Sequence, residues 1–107
     1  MERVYNKLVR DRIPEIIRAQ GETPVIRTLD DVAYAAELAR KLEEECREVI
    51  AASGGERVEE LADVLEVIKH LAQTENVTLE QIIALAEEKS ARRGGFAKRV
   101  FLEKVIE

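Results

Sequence analysis

Two stretches of apolar residues at helical spacing, separated only by Ser53-Gly54-Gly55, constrain this chain more than any other feature. From about Asp31 to Ala52 the positions Ala35, Leu38, Leu42, Cys46, Val49 and Ile50 recur with the period of an α-helix. From about Glu56 to Thr74, Leu61, Val64, Leu65, Val67, Ile68 and Leu71 do the same. So short a break predicts two long helices lying antiparallel, with their apolar stripes meeting along one seam.

The flanking sequence adds two shorter helices. Ile13, Ile16 and Ile17 around Pro14, whose missing N–H costs little in a first turn, predict a helix that stops at Gly21. Thr78 with Gln81 three residues later makes a capping box, opening a helix through Ile82, Ile83, Leu85 and Ala86 to Gly94-Gly95. Two runs have β character instead: Pro24-Val25-Ile26-Arg27-Thr28, and Phe96 to Ile106 with its Val100-Phe101-Leu102 and Val105-Ile106. They predict a minor β segment pairing residues 24–28 with 97–106 beside an all-α bundle.

At 107 residues the chain is long enough for one compact core, so residues 1–107 are expected to form a single domain. With 46% apolar and 36% charged residues it belongs with ordered globular proteins. A net charge of −5 argues against a nucleic-acid polymer as partner and leaves small anions open. Cys46 is the single cysteine and cannot form an intramolecular disulfide, and the N-terminal stretch lacks the apolar run of a signal peptide or membrane span. The expectation is a cytoplasmic protein with no membrane partner.

Two carboxylates, Glu45 and Glu60, stand at seam positions of this pattern, each with a second acid one turn further on. On an ideal wheel of about 100° per residue, Glu45 falls beside Leu38 and Val49 at the edge of the first helix's apolar arc, and Glu48 follows at i+3. On the second, Glu60 falls between Val67 and Val64, with Asp63 about 60° outside the arc. The hairpin thus brings two acid-x-x-acid pairs to the margin of one seam, where their mutual repulsion calls for a cation. A solvated face of a Glu-rich helix does not explain seam positions, whereas hard oxygen donors at this spacing suit Mg²⁺, or Mn²⁺ in its place.

Glu44-Glu45-Cys46-Arg47-Glu48, eleven residues, then Glu60-Leu61-Ala62-Asp63 resembles the paired EExxE…ExxD motif of the all-α nucleoside-triphosphate pyrophosphohydrolases, the MazG-like superfamily that includes phosphoribosyl-ATP pyrophosphohydrolase. The opening Tyr5-Asn6-Lys7-Leu8-Val9-Arg10-Asp11 and the closing run from Lys89 to Phe96 look like its house-cleaning subgroup. The resemblance implies Glu45, Glu48, Glu60 and Asp63 as metal ligands and catalytic residues. It also implies an antiparallel helical bundle completed by dimerisation, a homodimer or higher assembly. The implied activity is Mg²⁺-dependent cleavage of a nucleoside triphosphate between the α and β phosphorus atoms, clearing non-canonical nucleotides.

Phosphates not covered by metal need cations. Lys89 and Arg93 beside Gly94-Gly95, and Lys7 and Arg10 near the start, are the candidates, although cations in a helix's last turn also answer the helix dipole. His70, a lone histidine within an apolar arc, and Cys46, mid-arc and without an activating constellation, read as structural. The competing class is a non-catalytic helical dimer that docks a basic partner on its acidic face.

Overall fold

A computed structural model describes all residues, 1–107, and contains four helices and no strand. Helix α1 spans Ile13–Ala19, α2 Asp31–Ala51, α3 Gly54–Thr74 and α4 Leu79–Arg93. No helix is long and apolar enough to cross a membrane.

Local chemistry sets the ends of the elements. The Asp30 carboxylate accepts the Ala33 N–H at 2.8 Å and so starts α2. Thr78 and Gln81 form the reciprocal capping box of α4, at 3.1 and 2.8 Å. Asn76, at φ +60°, takes a left-handed conformation that asparagine tolerates and turns the chain between α3 and α4. The break between α2 and α3 is shorter than the glycines suggest. Only Ala52 and Ser53 lie outside a helix, and Gly54, at φ +58°, opens α3 from a backbone conformation that a side chain would strain.

The two long helices pack on each other and α4 packs on α3. The core is thin: Leu38, Val67 and Ala72 are the buried apolar residues, with Leu38 only 3% exposed. The radius of gyration is 18.5 Å, against roughly 13 Å for a compact chain of this length. The accessible surface is 9734 Å², where a folded monomer of 12.1 kDa exposes about 6,000 Å².

Two expectations are corrected. No minor β segment forms from 24–28 and 97–106: both runs are extended or irregular and do not pair. β-Propensity records how well a side chain packs on a pleated surface, so without a partner strand these residues remain single stretches of chain. Cys46, expected inside the seam of α2, is exposed. With α3 as its single close neighbour, α2 buries a narrower stripe than its apolar arc, and the covered line runs through Leu38 and Glu45. His70 is half-buried and its Nε2 lies 2.7 Å from Glu66 Oε2 on the same helix. That hydrogen bond holds the Glu66 carboxyl below the usual range, against the opposing effect of partial burial.

Candidate metal centre

Glu45 lies six residues before the last residue of α2 and Glu60 six after the first residue of α3. With only two residues in the turn, both acids sit about 9 Å from it along their helices, which brings them level across the seam. Asp63 follows Glu60 at i+3 on the same face. Carboxylate oxygens of Glu45, Glu60 and Asp63 all lie within 4.8 Å of one another. Glu45 is 9% exposed, an acid taken nearly out of water in the middle of the helix pair.

Glu48, the fourth acid of the sequence pattern, is exposed and lies outside this trio. Its charge is still felt at Glu60. The Glu60 carboxyl is held above the usual carboxylate range, first by partial desolvation between the helices, then by Glu48, Asp63 and Glu45, with a hydrogen bond to Asp63 adding to the shift.

Three cations answer these charges. Arg10 donates to Asp63 Oδ1 at 2.8 Å, Lys7 Nζ reaches Glu44 Oε1 at 3.4 Å, and Lys41 Nζ stands 3.4 Å from Glu45 and 3.7 Å from Glu44. The segment before α1 therefore reaches across to the α2–α3 hairpin, which places Lys7 and Arg10 at the acidic margin. Lys89 and Arg93 are exposed on α4 and enter none of these ion pairs. Lys41 is one residue that sequence reading missed, and its signal was present in the i, i+4 spacing to Glu45.

Beside the acids the surface opens into a cleft of about 560 Å³ lined by Glu44, Arg47, Glu48, Ala51, Ala52, Glu56 and Glu60. The cleft is open to solvent, and most of its lining is charged. Glu60 belongs to both the cleft and the carboxylate trio, so a bound ion would sit on the cleft's wall. Arg47, which is paired with Glu43, is the cation of that cleft and had not been singled out from the sequence.

The donor set fits a hard divalent cation. Oxygens on one Mg²⁺ at about 2.1 Å lie about 3 Å apart when adjacent and about 4.2 Å apart when opposite, so the trio, within 4.8 Å of one another, would draw together to share an ion. The two helices would hold it from both sides, and its charge would offset the repulsion that adds to the effect of desolvation at Glu60.

No family model matches the chain, and no solved structure matches it. A protein of Mycolicibacterium smegmatis (strain ATCC 700084 / mc(2)155) described as uncharacterized is 65% identical over 46 residues, or 43% of this chain. The match spans 47% of that relative's length.

Proposed function

We propose that this chain is a cytoplasmic, homodimeric nucleoside-triphosphate pyrophosphohydrolase of the MazG-like kind that depends on Mg²⁺, with Mn²⁺ able to replace it. On this reading it cleaves the α–β anhydride of non-canonical nucleotides. The observation that carries the proposal is the meeting of Glu45 from α2 with Glu60 and Asp63 from α3, oxygens within 4.8 Å, beside an open cleft of about 560 Å³.

The division of labour follows from position. Glu45, Glu60 and Asp63 would hold the ion, which when bound would supply positive charge against the phosphate oxygens. Glu48 lies outside the trio, exposed in the same cleft as Glu60. It is the carboxylate left free to orient a water and take its proton. Lys7 and Arg10, already at the acidic margin, are placed to meet phosphate oxygens. Lys89 and Arg93, on α4 and outside the cleft lining, are given to the distal phosphates by the resemblance alone.

Incubating the full chain with a panel of standard and modified nucleoside triphosphates and Mg²⁺ tests the proposal. The expected products are the monophosphate and pyrophosphate together, lost when the ion is chelated. Diphosphate with orthophosphate would place the chemistry at the β–γ bond and refute the assignment. No product from any nucleotide would favour the non-catalytic docking module.

A further inference from the structure

The stretch after α4 is unaccounted for by a single copy of the chain. Phe96, Val100, Phe101, Leu102, Val105 and Ile106 are 72–99% exposed, and none belongs to a helix. Gly94, at φ +81° and ψ 168°, holds a conformation open to glycine and turns the chain out of the helix. Arg99, at φ +61°, closes a turn by donating its N–H to the Phe96 carbonyl at 3.0 Å. The result is an arm, residues 94–107, with aromatic and aliphatic side chains in water.

An apolar groove lies near the opposite, N-terminal end of α4. At the corner where α3 passes into α4, Ile68, Leu71, Ala72, Val77 and Ile82, with Glu75 at the rim, line an open apolar groove of about 240 Å³. A cavity of about 150 Å³ suffices for benzene, so the groove has room for one phenyl ring and part of its neighbours.

We propose that the arm of one copy lies in this groove of a second copy, so that two chains are joined by exchanged arms, with Phe101 seated among Ile68, Leu71, Ala72, Val77 and Ile82. The area decides the occupant. Six exposed side chains of this size present on the order of 800 Å² of apolar surface, about what each partner contributes to a standard stable interface. The surface in excess of a compact monomer is several times larger, on the order of 3,700 Å² per chain. An arm folded back on its own α4 would cover itself but leave Val58, Leu61 and Leu65 of α3 exposed, at 48–66%. A second copy held by two arms brings a surface against those residues as well. The exchange concerns assembly and does not depend on the hydrolase reading.

Two measurements on the full chain test it. The mass by light scattering at micromolar concentration is expected to be that of a dimer. Phe101→Asp is expected to raise the dissociation constant at least a hundredfold, with circular dichroism showing the helices intact because Phe101 lies outside all of them. A monomeric wild type, or a variant that dimerises unchanged, overturns the proposal. If the variant fails to fold, cross-linking decides, in a Cys46→Ser background. Tagged Phe101→Cys chains mixed with untagged Ile82→Cys chains are expected to give a disulfide-joined mixed dimer. Its absence, or a disulfide within one chain that carries both cysteines, overturns the exchange.

Discussion

If three carboxylates share an ion, the folded chain must be stabilised by that ion in proportion to how well each carboxylate holds it. A ligand bound only by the native state contributes about 2.7 kcal/mol when present at a hundred times its dissociation constant. Unfolding entropy of roughly 2.1 cal/mol/K per residue, over 107 residues, makes each kcal/mol worth between about 4 and 5 °C of Tm. Mn²⁺ at that saturation is therefore expected to raise Tm by about 12 °C over a chelated control. Both melts must be taken at one protein concentration, because the proposed dimerisation would make Tm depend on it. The geometry then ranks the variants. Glu45→Gln, Glu60→Gln and Asp63→Asn each remove a charge from the trio, and a tenfold or greater loss of affinity at the same Mn²⁺ concentration cuts the shift to about 6 °C or less. Glu48→Gln, whose carboxylate is outside the trio, is expected to keep most of the shift while turnover falls about a hundredfold. Differential scanning calorimetry with paired chelated samples reads all of this. A wild-type shift under about 1 °C, or equal shifts in all four variants, would refute the idea that these acids form one ion site.

Two further outcomes follow from the same structure. The Glu60 carboxyl is held above its usual range, so the native state keeps that proton more tightly than the unfolded chain, and ionising it costs stability. The cost is present above the raised value and fades as pH falls through it. Without metal, Glu60→Gln is expected to melt above wild type at neutral pH, with the gap closing as pH falls toward the carboxylate range; a gap that is constant with pH would point to a cause other than charge. Leu38→Ala empties a position that is 3% exposed between α2 and α3, and is expected to cost about 2 to 3 kcal/mol by urea denaturation, at the low end for leucine because the thin core can close around the gap. A loss under about 1 kcal/mol would mean that the α2–α3 seam is not where this chain holds itself together.

Much of the architecture was legible in the residues because its signals are local. Periodicity marked α2 and α3, and the Thr78–Gln81 box marked the start of α4, since capping needs only neighbours within one helical turn. The spacing of Glu45, Glu60 and Asp63 was also local once the turn was recognised: two helices joined by two residues keep their register, so acids equally far from the turn meet. What required the tertiary structure was everything that depends on a second surface. Propensity could not say that residues 24–28 and 97–106 would stay unpaired, because a strand is stabilised by its partner and not by itself. The wheel could not say that Cys46 would face water while Glu45 beside it is nearly buried, because an apolar arc shows which side can be covered and only a neighbour's width shows how much is. Nor could it separate Glu48 from the other three acids, since i+3 places side chains in one direction but depth across the seam is set by how closely α3 approaches. The cations at the acidic margin divide along the same line. Lys41 was readable one turn from Glu45 on its own helix, whereas the Arg10–Asp63 pair joins residues 53 positions apart and exists because the chain folds back over the hairpin.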